Sequence, residues 1–521
     1  MRKLLGILFL VSQLFFDLRA QYALSPLNPS HTDLVRDHIA RDATIRQTAF
    51  WPFLMEQGSL DSVYDADSKK WQRKEYTSWV LRKLRNEHLL EVNEEDFSLF
   101  LDAGWDLEAS YQKDDDGRRM FTNTRGLQLT GTVGERVFFA SSFYENQSIF
   151  PTYLDSIVSK RGSYNNEVDP ERGSVPGFGR WKPFNTSDSY DYDYTLGTGY
   201  VGVVLFDRSF VQLGHDKQFL GYGHRSMLLS DVSAPYPLLR VHLSFLKDKL
   251  TYTTTWAVLQ SLERIAPNYN NKEAMFRRLG GRFSYLHFEP VHWAGIGVFD
   301  GSTWTWRDNN HPSSIEYYLP YGALYTGNGI RNHVLGLNGH VSPFSSLNIY
   351  GQFAVQTRTN GKAAQIGARF SGLPEGLILN LEYNHTGVGF YYDGEGDARG
   401  TIITEPFQAG TDALDYYQHN DQSLAHPILM SNDEFLVRIS YRFKDAFVRG
   451  SYHNVSKLPL MTGHSQDYFN FELGYTINPK SNAQIVVGNI NRTERDGVRS
   501  MIDTYTYVAF RTNLINRYRD F

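Results

Sequence analysis

From Phe97 onward the chain keeps a two-residue period, and this period limits its fold more than any other feature. Leu377, Leu379, Leu381 and Tyr383 alternate with Ile378, Asn380, Glu382 and Asn384. Phe435, Val437, Ile439, Tyr441 and Phe443 alternate with Leu436, Arg438, Ser440 and Arg442. Phe469, Phe471, Leu473, Tyr475 and Ile477 alternate with Asn470, Glu472, Gly474 and Thr476. Successive side chains of a strand point to opposite faces, so each stretch is a strand with one apolar, aromatic face and one mostly polar face. The period alone fits a soluble sandwich, whose apolar face turns to a core, and a membrane barrel, whose apolar face meets lipid.

The connections favour the barrel. Short turns are expected at Gly134-Glu135, Asp207-Arg208-Ser209, Lys247-Asp248, Glu289-Pro290, Ser342-Pro343, Leu373-Pro374, Lys444-Asp445 and Asn478-Pro479. Between these hairpins the links are mostly long: 146–193, 220–235, 261–276, 303–330 and 387–432. Short turns at one end and long loops at the other is the asymmetry of outer-membrane barrels, with the short turns facing the periplasm. The expected fold is an all-β transmembrane barrel of about 18 antiparallel strands, an even number as in bacterial single-chain barrels. It must be closed, the strand at 504–514 against that at 99–111, because unpaired backbone groups in hydrocarbon are costly. No stretch of about 18 apolar residues follows the leader, so helical spans are excluded. The 33 Tyr, 34 Phe and 43 Gly suit lipid-facing strands and tight turns.

The first residues set the compartment. Arg2 and Lys3 precede an apolar run over 4–16, and Leu18-Arg19-Ala20 offers a cleavage site before Gln21, so 1–20 reads as a secretory signal peptide. Localisation is therefore expected in the bacterial outer membrane. With no cysteine in the chain, neither a lipid anchor at the cleavage site nor a disulfide is available. Residues 21–95 read as a small periplasmic helical region. Ser30 is its expected N-cap with Asp33 three residues on, and a second helix is expected over 75–91, carrying Trp79, Val80, Leu84 and Leu89. Residues 96–521 make the barrel. A net charge of -5 without a basic tract excludes nucleic acid as a partner.

Motifs for catalysis fail on context. Gly197-Thr198-Gly199-Tyr200-Val201-Gly202 matches a dinucleotide pattern but leads into the strand residues Val203, Val204, Leu205 and Phe206, not a helix. Asp114, Asp115 and Asp116 with Gly117 lack the remaining ligands of a calcium loop, and Asp188 to Tyr194 reads as a polar loop. No nucleophile elbow, zinc-binding helix or phosphate loop is present, so no catalytic residue, metal ligand or cofactor is expected. Two segments stand out, at 213–237 and 416–427. Both set amides, histidines and an arginine beside aromatic rings, groups that bond sugar hydroxyls and stack on sugar faces. The candidate glycan contacts are His215, Lys217, Gln218, Arg225, Tyr417, His419, Asn420, Gln422 and His426. The same residue types also suit loops that fold inward and bond to one another as a plug.

These segments, with Ser-Trp-Val-Leu-Arg-Lys-Leu at 78–84 and Asn-Glu-His-Leu-Leu-Glu at 86–91, resemble the capsule-assembly Wzi family, and more closely its gliding-motility RemB branch. The matching stretches run from about Leu24 to Ser456. Gly-His-Asp-Lys-Gln-Phe followed by Arg-Ser-x-Leu-Leu-Ser-Asp is the most specific part, then Gln-Ser-Leu-Ala-His-Pro. The chain departs from the pattern at Ser423, where Pro is usual, and at Ile428-Leu429, where Gly commonly follows His-Pro. The resemblance implies an eighteen-stranded outer-membrane barrel with a periplasmic helical portion and a non-enzymatic role in attaching capsular polysaccharide or in gliding. Its partners would be outer-membrane lipid, a surface polysaccharide, and gliding or secretion apparatus proteins. Two other readings are a channel whose lumen is lined by Arg240, Arg438, Arg442 and Glu472, and an accessory of a secretion or gliding apparatus.

Overall fold

The computed structural model describes residues 22–41, 49–56, 63, 74–113, 117–160, 163–164, 167–168, 174–183, 191–264, 276–306, 319, 330–357, 359–372, 374–388, 390–391, 417–428, 431–457, 464–512 and 516–520. Residues 1–20, expected as a signal peptide, 114–116, expected as a turn, 188–190, and most of 303–330 and of 387–416, expected as links, lie outside them.

Eighteen antiparallel strands form one closed sheet. They are β1 Phe97–Gln112, β2 Arg118–Val133, β3 Val137–Ile149, β4 Asp191–Phe206, β5 Ser209–Asp216, β6 Tyr236–Phe245, β7 Leu250–Arg264, β8 Phe276–Val291 and β9 Ala294–Thr305. They continue as β10 Ile330–Phe344, β11 Leu347–Gln356, β12 Lys362–Ser371, β13 Leu377–Thr386, β14 Asn432–Phe443, β15 Ala446–Lys457, β16 His464–Asn478, β17 Ala483–Asp496 and β18 Ser500–Thr512. Each pairs with its neighbours in sequence, and β18 returns to β1 from Tyr505 opposite Gln112 to Arg511 opposite Asp106.

Closure is made in two pieces. β18 stops at Thr512, whose Oγ1 accepts the Trp105 N–H at 2.7 Å, partway along β1. Beyond that point the short strand Leu90–Glu94 takes the β1 edge, Leu90 opposite Leu101 and Glu94 opposite Phe97. Thus no long run of β1 amides is left unpaired at membrane depth, as hydrocarbon requires.

Burial is inverted relative to a soluble fold. On β13, Leu381 and Tyr383 are 41% and 45% exposed, while Asn380, Glu382 and Asn384 are at most 5% exposed. Phe435 and Ile439 on β14 and Phe469, Phe471 and Leu473 on β16 are likewise exposed, with Glu434 and Glu472 buried. An outer surface of this kind is stable only against an apolar solvent, so the belt faces lipid and the polar face encloses the lumen.

Turn positions follow the expectation except at two prolines. Strand β8 runs through Pro290 to Val291, and β10 runs through Pro343 to Phe344, moving the turns to His292-Trp293 and Ser345-Ser346. In both hairpins the register shifts across the proline, between Phe288 and Val291 and between Val341 and Phe344. Proline has no N–H for the ladder, and an irregular strand end is where it can sit.

The region expected as periplasmic helices at 21–95 contributes to two places. Helix α1, Pro29–Arg41, is capped two residues before the expected Ser30: Asn28 Oδ1 accepts the Ser30 N–H at 2.9 Å, with Pro29 at the first helical position. It lies against the inner wall, where Arg369 pairs with Asp33 at 3.3 Å and Asp37 at 3.0 Å, and Arg449 donates to Ser30 Oγ at 2.8 Å. Helix α2, Trp79–Arg85, is much shorter than the 75–91 expected, since Leu89–Glu91 are drawn off toward the β1 edge. Asn478 ties it to the rim by donating to the carbonyls of Lys83 and Glu87 at 3.1 and 2.8 Å. Trp79, Val80, Leu84 and Leu89 are 49–64% exposed beside Tyr475 at the short-turn end, an amphipathic arrangement fit for a membrane interface.

Candidate functional site

The first motif segment leaves β5 and turns down into the lumen. His215 stays on the wall, half-buried, with Nδ1 2.8 Å from the Gly197 carbonyl on β4. Phe219 and Leu220 then pair with Trp51 and Phe50, so the loop meets the N-terminal segment inside the barrel. Arg36 of α1 donates to the Tyr222 carbonyl at 2.7 Å, and Arg240 of β6 donates to that of Pro52 at 2.6 Å. Arg240 is fully buried, its guanidinium over the Phe50 and Phe210 rings at 4.7 and 5.1 Å. It therefore holds the plug rather than lining water, whereas Arg438, Arg442 and Glu472 do line a cavity.

The second segment closes over the first. Gln418-His419 and Gln422-Ser423 make a hairpin whose central residues, Asn420 and Asp421, both have positive φ (53° and 57°), the conformation of a two-residue turn of primed type. It docks on the end of β7: the Gln260 N–H donates to His419 Nδ1 at 3.2 Å, and Gln260 Nε2 donates to Asn420 Oδ1 at 2.7 Å. The segments meet where the Ser230 N–H donates to the Leu424 carbonyl at 2.7 Å and the Tyr417 hydroxyl donates to that of Leu228 at 3.1 Å.

Glu434, on the inner face of β14 and fully buried, is the hub of this junction. Arg225 from the first segment donates to it through Nη2 at 2.9 Å and Nε at 3.2 Å, and His426 from the second lies 2.9 Å away through Nε2. Asn384 donates at 3.0 Å, and His453 Nδ1 is at 3.1 Å. Glu382 accepts the backbone N–H of His224 and Arg225, and Gln352 accepts that of Met227 at 2.7 Å. Burial alone would disfavour charge on Arg225, but the carboxylates of Asp520 and Glu434 hold its pKa above the ordinary value. A buried pair of this quality is costly to break from one side only.

A third contact joins both motifs to the segment at 174–183. Lys217 donates to the Gly177 carbonyl at 2.5 Å and to the Asp231 carbonyl at 3.1 Å, while Gln422 accepts the Gly177 N–H at 2.9 Å and donates to the Val175 carbonyl at 3.0 Å. Gly177 has φ +77°, and an added Cβ would stand 3.3 Å from Lys217 Nζ. Burial pushes the Lys217 ammonium down to about 8. Burial likewise pushes His419 down to about 3 and the Tyr417 hydroxyl well above its usual range. Gln218 donates to Thr255 Oγ1 on β7 at 3.0 Å.

Thus eight expected glycan contacts (Lys217, Gln218, Arg225, Tyr417, His419, Asn420, Gln422 and His426) are no more than 7% exposed, each with at least one polar side-chain atom bonded to protein. The structure brings Arg225 together with His426 at Glu434, and Lys217 with Gln422 at Gly177; His215 shares neither junction but lies close enough to His419 for their charges to interact. These groups build the plug and its cap instead of standing at the surface. Glu434 and Glu382 were missed, although both hold inward positions of apolar-out strands, a legible signal for a lumen charge. Asp520 gave no signal at all.

The tail after β18 also enters the lumen. Arg519 pairs with Glu108 at 2.7 Å, Arg517 with Asp106 at 2.5 Å and Arg225 with Asp520 at 3.1 Å; the Tyr518 hydroxyl donates to Asp231 at 2.6 Å. In the short-turn half a cavity of about 530 Å³ remains, lined by α1, by inner residues of β13 to β18 and by the tail.

No family model and no curated protein matches the chain. Among solved structures it is similar to Wzi of Escherichia coli, described as an outer-membrane protein involved in group 1 capsule assembly and a carbohydrate-binding β-barrel. The TM-score is 0.51 at 12% identity, over 94% of this chain and 99% of Wzi. The two barrels share a fold. Weaker likenesses are to OccAB2 of Acinetobacter baumannii (TM-score 0.42, 10% identity, 80% of this chain and 97% of that one) and to the outer-membrane protein OpdK of Pseudomonas aeruginosa (0.41, 11%, 80% and 98%). At these identities the Wzi likeness concerns architecture, an outer-membrane barrel of eighteen strands.

Proposed function

We propose that this protein is a non-enzymatic outer-membrane barrel that retains surface polysaccharide at its long-loop end. The observation that carries the reading is the commitment of both motif segments to a buried plug and cap joined at Glu434. A barrel filled this way offers a shaped outer surface and not a mouth. On this reading His215, Lys217, Gln218, Arg225, Tyr417, His419, Asn420, Gln422 and His426 act on glycan indirectly, by fixing the loops that touch it. The shared fold with a carbohydrate-binding barrel of capsule assembly supports the same class of ligand. The sequence likeness to the gliding branch favours a related role, in which the retained glycan or a partner protein serves surface motility.

In cells lacking the protein, total polysaccharide should stay constant while the cell-bound fraction falls and the shed fraction rises. An unchanged bound fraction with lost gliding would replace the glycan role by the motility one. Steady conductance of the purified protein in a planar bilayer would replace both by a channel.

A further inference from the structure

We propose that His224, His453 and Asp520 form a binding site for a divalent transition-metal ion of the zinc class, at the junction of plug, wall and C-terminal tail. The three come from separate elements: His224 from the loop after β5, His453 from β15 and Asp520 from the tail. Asp520 Oδ2 lies 3.0 Å from His224 Nε2 and 3.4 Å from His453 Nε2, and all three donor atoms are within 4.8 Å of one another. Ligands held at the usual zinc distances in a tetrahedron stand roughly 3.3 Å apart. The two separations from Asp520 are close to that.

Three further features suit a cation. First, His453 lies between two carboxylates, with Nδ1 3.1 Å from Glu434 and Nε2 3.4 Å from Asp520. A neutral imidazole has one proton to give. Arg225 Nη2 also lies 3.3 Å from Nδ1; in the tautomer whose Nδ1–H is donated to Glu434, the Nε2 lone pair faces the Asp520 carboxylate, and a metal ion between them relieves the opposition. The carboxylate behind the ring is the support that metal-bound histidines usually have. Second, the carboxylates of Asp520 and Glu434 meet here at the Arg225 guanidinium, and Glu382 accepts the Arg225 backbone N–H; of the other arginines lining the cavity, Arg449, Arg511, Arg517 and Arg519 are paired with Asp106, Glu108 and Glu472. Arg225 does not depend on Asp520 Oδ2, because it also holds Glu434 and the Asp520 carbonyl, the latter at 3.0 Å. Third, all three ligands line the 530 Å³ cavity, which extends to Gly376, Pro479 and Asn482 at the short-turn end. This leaves space for a water as fourth ligand and a route of entry. Such an ion would tie the tail to the plug and the plug to the wall.

The test is cobalt and zinc titration of the full-length protein, purified in detergent and stripped with a chelator. One equivalent of Co²⁺ should bind with the intense visible absorption of a tetrahedral site and be displaced by Zn²⁺. His453→Gln and Asp520→Asn should each weaken binding at least 100-fold, while His292→Gln, on the exposed turn between β8 and β9, should bind as the unaltered protein does. Heat-modifiable migration identifies folded barrel, and two independent ligand variants guard against one of them failing to fold. Absence of stoichiometric binding, or binding that both ligand variants leave intact, overturns the site and leaves a hydrogen-bonded cluster.

Discussion

The two halves of the lumen are built on different physics. Toward the long loops, Leu228, Leu229, Tyr236, Leu259, Leu279, Phe283, Phe299, Val334, Tyr417 and Leu424 pack into one apolar cluster, with amides and carbonyls satisfied by neutral hydrogen bonds. Toward the short turns, Arg449, Arg511, Arg517 and Arg519 face Asp106, Glu108 and Glu472 around a cavity. The first half resembles the inside of a soluble protein and the second a charged vestibule. Apolar packing is close to all-or-none, since a removed side chain leaves a void. Charges in a hydrated cavity share partners and tolerate the loss of one. The difference teaches where this barrel is sealed: at the cap, with Glu434 as the seam.

The seam should therefore give the largest effect. Glu434→Ala strands Arg225 without its main partner, and losses of about 3–5 kcal/mol are typical for one half of a buried pair. We expect the plug to release while the wall persists, seen as new protease cleavage at 217–235 with heat-modifiable migration retained. Arg438→Met, in the vestibule, should leave the cleavage pattern unchanged; equal sensitivity of the two would break the comparison. Next in size is Leu228→Ala, fully buried in the upper cluster. It should cost about 3 kcal/mol by cavity formation, measured as accelerated amide exchange in the segments at 217–235 and 417–428.

A smaller effect should come from pH. His419 is docked neutral, with a value pushed by burial from 6.5 to about 3. Its folded value lies below its unfolded one, so its contribution is fully present above pH 6.5 and is lost as pH falls toward 3. Acidification from neutral to pH 5 should loosen the hairpin at 418–423, and His419→Gln should flatten that part of the profile. An unchanged slope in the variant would remove His419 from the account. The smallest effect is expected from Gly177→Ala, where positive φ and the nearby Lys217 ammonium together cost about 1 kcal/mol, detectable as a small fall in Tm.

Alternation along the chain was enough to determine the wall. A period of two with lipid-facing Leu381, Tyr383, Phe435 and Phe469 puts Asn380, Glu382 and Glu434 inside, whatever else the lumen holds. Closure and strand number follow from the same pattern, because hydrocarbon tolerates no free edge. The sequence also marked the two segments that matter at the cap, yet could not say whether they face a ligand or one another. The same amides, histidines and arginines serve both ends. Only tertiary structure decided this, by bringing Arg225 to Glu434 across 209 positions and the tail at Asp520 back to Arg225 across 295. Likewise the helical pattern expected after Ser30 pointed to α1 but not to its seat against Arg369 and Arg449, 419 positions from Ser30 in the latter contact. Strand faces are set by near neighbours, whereas the filling of a lumen is set by partners far along the chain, and local periodicity carries no record of them.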